Sequence, residues 1–214
     1  MPVSEKAQEL QMQINAEGVK LGDLRKIAKE IKRDHYLAME LWATEEMMPR
    51  QLAILIMDKK LLSKEVIDQL CRDIDQHEFD DRNQLADWLM ANQLSKDKKT
   101  VAIMESWEQS SFSIQRRLFW YHQARLRWTG QTPPDNTEKL LLSIENKMAQ
   151  EKPEVQWAMN FTAGQIGTYE SQYRERCIAI GENTELYKDE IVAKNCTPSY
   201  LPEFIRIQVG KLKK

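Results

Sequence analysis

The feature that most constrains this chain is a helical periodicity of apolar residues that runs through most of its length. Leu24, Ile27, Ala28 and Ile31 recur at i, i+3, i+4 and i+7, the spacing that lines one face of an α-helix. Arg25, Lys26, Lys29, Lys32 and Arg33 fall on the other faces, and Asp23 is expected as the N-cap. Leu37, Ala38, Leu41 and Trp42 form a second short stripe. Pro49 sits where a helix tolerates proline, in the first turn, and opens an apolar run from Leu52 to Met57. Ser63 is the expected cap of a helix burying Val66, Ile67, Leu70, Cys71 and Ile74.

The polar stretch 76–82 reads as a loop, and Leu85, Trp88 and Leu89 start the next helix. Further helices are expected over 96–107 and 112–128. The TGQTPPDN stretch at 129–136 is the clearest break in the chain. Beyond it, Leu140, Leu141, Ile144 and Met148 mark a helix, and Pro153 opens another through Ile166. The remaining expected helices cover 170–182, 186–194 and a tail from Pro202.

No segment alternates strongly enough to compel a strand, and only seven glycines and seven prolines are present, too few for the turns of a sandwich or barrel. The expected fold is therefore all-α. Roughly a dozen helices with short joins suit a superhelical α–α solenoid of antiparallel helix pairs, repeating about every 35–45 residues as HEAT-like units do. A globular helical bundle is the alternative. The 214 residues suit one domain, expected to span residues 1–214.

Net charge is −2, so a nucleic-acid partner needs a locally basic face. The three cysteines, Cys71, Cys177 and Cys196, form no CxxC and point to neither a disulfide framework nor a zinc site. Cys71 and Cys177 fit apolar helix faces and are expected in the core. His35, His77 and His122 are far apart and are expected at the surface or at caps. No P-loop, GxGxxG, HExxH or GxSxG occurs, and neither a metal nor a cofactor is expected. The N-terminal MPVSEKAQEL carries no apolar signal segment and no run approaches a membrane span, so the expected location is the cytoplasm.

Basic residues cluster at Lys20–Arg33, at Lys96, Lys98 and Lys99, at Arg116, Arg117, Arg125 and Arg127, and at Lys211, Lys213 and Lys214. They could neutralise phosphates on a common face, or be solvated residues balanced by acids. Trp88, Trp107, Trp120, Trp128 and Trp157 interleave with them; core packing is the usual role of such tryptophans, and base stacking the functional one. Asp87 lies within the stripe Leu85-Ala86-Asp87-Trp88-Leu89. A carboxylate beside apolar residues either serves an ion pair or cap, or stabilises a developing positive charge.

The stretch GVKLGDLRKIAKEIKRDHYLAMELW at 18–42 resembles the AlkD-type DNA alkylation repair family, the HEAT-like repeat DNA glycosylases. RQLAILIMD (50–58), LADWL (85–89), RRLFW (116–120), QWAMN (156–160) and RCIAIGE (176–182) continue the likeness in order, with Cys-Thr at 196–197 and Pro-x-Phe-Ile at 202–205. The resemblance implies a stack of HEAT-like helix pairs that binds double-stranded DNA and excises cationic N3- or N7-alkylated purines without metal or cofactor. It puts the catalytic aspartate at Asp87 and a DNA-contacting arginine at Arg117, with Arg116 beside it. Two tryptophan positions of the glycosylases hold Asn83 and Asn160, and a basic position holds Ala163, as in a divergent branch. Three functions stay open: a monofunctional glycosylase, a catalytically silent DNA-binding protein, or a protein-interaction scaffold. The chain is expected to be a monomer and no membrane partner is expected.

Overall fold

The structure, a computed structural model, describes residues 4–212. Among these residues there are twelve α-helices and no strand. They gather into two compact units, the first ending at Ser106 and the second beginning at Trp107.

The first unit holds α1 (Glu5–Ile14), α2 (Leu21–Ile31), α3 (His35–Trp42), α4 (Met47–Ile56), α5 (Lys64–Asp75), α6 (Phe79–Asn92) and α7 (Lys98–Glu105). Short polar side chains start several of them. Ser63 accepts a hydrogen bond from the Val66 N–H and Asp34 accepts one from Leu37, each satisfying a donor that the first helical turn leaves free. Helix α4 is apolar nearly all round, and Leu52, Ala53, Ile54 and Ile56 have no exposed surface. Such a helix belongs inside, and α4 packs against α2, α3 and α6. Burial of each of its large aliphatic side chains contributes roughly 1.5–3 kcal/mol.

The second unit holds α8 (Ser113–Trp128), α9 (Thr137–Lys147), α10 (Pro153–Tyr169), α11 (Arg174–Thr184) and α12 (Leu201–Leu212). Its centre is α10, packed against α8, α9, α11 and α12. Pro153 occupies the first turn of α10. The Thr162 hydroxyl donates within α10 to Ala158 O at 2.8 Å or across to Trp120 O of α8 at 2.7 Å, so this buried hydroxyl has acceptors on either side. Helix α12 approaches closely because glycines face it. A Cβ at Gly167 would stand 2.6 Å from Ile205, and one at Gly181 would stand 2.7 Å from the Leu201 Cβ.

Several expected boundaries move. Asp23 is not the N-cap of α2; Lys20 holds that place, and Asp23, three residues in, accepts from the Lys20 N–H at 3.1 Å. Residues 76–82 are not all loop, because α6 begins at Phe79 with Asp80 and Asp81 in its first turn, where acids offset the helix dipole. Helix α1 lies outside the stripes read from the sequence. No helix forms over 186–194. Glu185 and Tyr187 take left-handed backbone angles of φ 52° and 62°, which stop α11, and Ile191 is 99% exposed, so no buried stripe drives helix formation there. His122 is not at the surface: it is 3% exposed in α8. Cys71 and Cys177 are buried as expected. Lys213 and Lys214 lie outside the described residues.

Candidate nucleic-acid interface

In the first unit, Asn83 and Asp87 stand one turn apart on α6, on one side of the helix. Both are half-buried. Leu85, Ala86, Leu89 and Met90 hold the helix in the core and so fix the side that carries Asn83 and Asp87. The Asn83 Oδ1 is shut off from solvent and accepts no hydrogen bond among the described residues. Trp88 points elsewhere: its Nε1–H donates to Gln51 O of α4 at 3.1 Å, and the Arg25 guanidinium lies 4.6 Å from its ring. The same unit buries a cation at Arg50, whose guanidinium donates to Trp42 O and Asp73 O at 3.1 and 2.9 Å. His77 Nε2 lies 2.6 Å from Arg50 Nη1 and must act as acceptor there. Burial, and then the Arg50 charge, hold the His77 imidazole below its usual pKa.

In the second unit, the four arginines of α8 have four different fates. Arg116 grips Glu151 through Nε and Nη2 at 3.0 and 2.8 Å and donates from Nη1 to Ser110 O at 2.7 Å. Arg117 is 5% exposed, donates to Glu154 O at 3.0 Å and lies 4.9 Å over the Trp157 ring. Arg127 is buried against Glu170, Gln123 O and Thr137. Arg125, half-buried, makes no ion pair or side-chain hydrogen bond among the described residues; it lies 5.9 Å from the Trp128 ring.

Trp157 belongs to a row of aromatic rings along α8 and α10. It stacks on Phe161 with centroids 5.2 Å apart and planes 10° off parallel. Tyr121 leans on both, at 5.9 and 5.7 Å. Trp128 meets Phe161 edge-on at 6.4 Å. The row follows from spacing: Arg117, Tyr121, Arg125 and Trp128 recur at i, i+4, i+8 and i+11 on α8, and Trp157 and Phe161 at i, i+4 on α10. Tyr121, Trp157 and Phe161 are half-buried and Trp128 is 49% exposed, so the rings form a surface. The core role usual for tryptophan applies to Trp107 and Trp120, both buried. Tyr121 and Phe161 are not among the residues singled out in the sequence; their i, i+4 pairing with Arg117 and Trp157 is the signal that marks them.

Asn160 lies one turn beyond Trp157 and is 3% exposed. Its Nδ2 donates to the Ser199 carbonyl at 2.8 Å, so the chain joining α11 to α12 closes over it. Arg117, Trp157 and Asn160 thus share one region of the second unit. Arg116 is turned to Glu151 instead.

These helices and residues fit a known family: the sequence matches the DNA alkylation repair enzyme family over residues 5–184. The chain belongs to that family. No curated protein matches it. Among solved structures it is similar to one described as a new family of proteins related to the HEAT-like repeat DNA glycosylases with affinity for branched DNA structures. That likeness has a TM-score of 0.67 at 19% identity, and covers 98% of this chain and 88% of the other. It shows a HEAT-like, all-α fold, as the helix spacing predicts. No helix of the described residues is long and apolar enough to cross a membrane.

Proposed function

We propose that this member of the DNA alkylation repair family binds DNA, and that the aromatic row of α8 and α10 is part of the surface that does so. The observation that carries the reading is the stack of Trp157 on Phe161, both half-buried, with the Arg117 guanidinium packed beneath it 4.9 Å from the Trp157 ring. Flat rings on a half-open face meet deoxyribose and bases. The solved relative's affinity for branched DNA supports the same reading.

Binding of fluorescent duplex and branched DNA at rising salt tests it. Each phosphate neutralised lowers log K by about 0.9 per decade of salt. A steep fall with salt, and weaker binding when Trp157 and Phe161 are both changed to Ala, is the expected result. Salt-insensitive binding, or none, would leave a protein scaffold as the remaining reading.

Excision of alkylated purines is the second reading, and Asp87 favours it. A carboxylate held half-buried on α6 can stabilise the sugar cation that forms as an already cationic base departs. Water then adds to the sugar carbon and loses a proton, completing hydrolysis of the N-glycosidic bond. Asn83, one turn from Asp87 on α6, supplies no aromatic ring to that cation. Release of methylated purines from alkylated duplex DNA, absent in Asp87→Asn, would establish the activity. No release from folded wild-type protein would leave binding alone.

A further inference from the structure

We infer that Arg125 and Trp128 form a nucleotide-binding pair that takes an unpaired base of DNA. The inference rests on the DNA-binding reading above and goes further by naming the substrate feature recognised and two residues that neither family membership nor the solved relative assigns.

Three observations carry it. First, Arg125 is the one arginine of α8 left without an ionic or hydrogen-bonding partner among the described residues; the charges of Arg116 and Arg127 are met by Glu151 and Glu170. A cation at the end of a helix also offsets the helix dipole, but Arg127, in the same last turn, already donates to a carbonyl of α8. Second, Trp128 is the exposed end of an aromatic row whose other members are largely covered, at 49% exposure. An indole of this size left half in water forfeits much of its hydrophobic stabilisation, a loss that a stacking ligand would remove. Third, the ring is held in place: Phe161 braces it edge-on, and Phe161 is itself fixed by Trp157 and Phe204. A fixed ring loses little entropy on binding.

The chemistry of the ligand follows. An exposed indole offers a π-face, which every nucleobase matches, and the guanidinium beside it suits a phosphate of the same nucleotide. A base inside a duplex is already stacked on both sides, so the ring can take only one that is unpaired, at a strand end, a gap or a branch.

The test uses three DNAs of the same sequence: a blunt duplex, the duplex with a single-stranded overhang, and a branched form. Each carries 2-aminopurine at the unpaired or equivalent paired position. Wild-type protein is expected to prefer the overhang and the branch, and to quench the unpaired 2-aminopurine. Trp128→Ala is expected to lower affinity for those two about 5-fold or more and abolish the quenching, with a clearly smaller loss on the blunt duplex. Trp128→Phe should keep most of the preference, and Arg125→Ala should weaken it. Because Trp128 is half exposed and Arg125 makes no ion pair or side-chain hydrogen bond among the described residues, helical content by circular dichroism should match wild type. Equal loss on all three DNAs, or no loss, overturns this inference and leaves the DNA-binding reading standing. No binding of any DNA by wild-type protein overturns both.

Discussion

Asn160 donates its side-chain amide to the backbone carbonyl of Ser199, 2.8 Å away and 39 residues further along the chain. The bond ties the middle of α10 to the irregular segment that leads into α12. The Ser199 N–H in turn donates to Glu190 within that segment at 2.7 Å. An asparagine therefore stands at 160 as part of the link between helices.

Asn160→Ala leaves the Ser199 carbonyl without its donor. Loss of a partner to a fully buried polar group costs about 1–3 kcal/mol; this bond is part-buried, so the urea midpoint should fall by an amount corresponding to the low end of that range. Asn160→Asp should cost more, since a carboxylate cannot donate and repels the carbonyl. An unchanged midpoint in both variants would show that the bond does not hold the segment.

Arg116 is predicted to stabilise the fold and to leave DNA affinity alone. Both side chains of the Arg116–Glu151 pair are under one-fifth exposed. Removing a hydrogen-bonded charge there costs about 1.5–3 kcal/mol. Arg116→Ala should lower the melting temperature while the salt slope of DNA binding stays at the wild-type value. A slope shallower by about one would instead assign Arg116 to a phosphate.

His122 should make the fold acid-sensitive. Burial, helped by the nearby Arg125 charge, lowers its pKa from 6.5 to about 4, and neither ring nitrogen has a hydrogen-bond partner among the described residues. The unfolded chain takes up a proton near pH 6.5, whereas the folded chain does so only near pH 4. Stability from this group is therefore complete above about 6.5, declines as pH falls towards 4, and levels off below. The full difference approaches about 3 kcal/mol. Comparing wild type with His122→Phe across pH 4–7 isolates it: the variant's stability should vary less with pH. Parallel curves would refute the assignment.

How much of this was readable in advance differs from helix to helix. The stripes of α2 and α5 are visible because burial on one side of a helix leaves a period of 3.6 in the residues, and α4 because burial all round leaves a continuous apolar run. The break at 129–136 is visible because Gly130 and two prolines cannot continue a helix. The segment 186–194 misleads, since helix propensity there meets no core to pack on; Ile191 and Val192 face solvent. His122 misleads for the opposite reason, because nothing local to a histidine reveals that α8 turns that side inward.

The sequence by itself determined the class of this protein: periodic apolar stripes admit only helices, and the ordered segments from 18 to 182 lie within the stretch that matches the family. Tertiary structure alone decided which charges and rings remain available. Arg116 and Arg125 are alike in sequence. Glu151, 35 residues from Arg116, meets one of them, and no carboxylate among the described residues meets the other. Trp120 and Trp128 differ in the same way, one buried against α10 and the other half in water. A charge is neutralised, and a ring is covered, by neighbours that folding brings from far along the chain, and the local residue pattern carries no record of those neighbours.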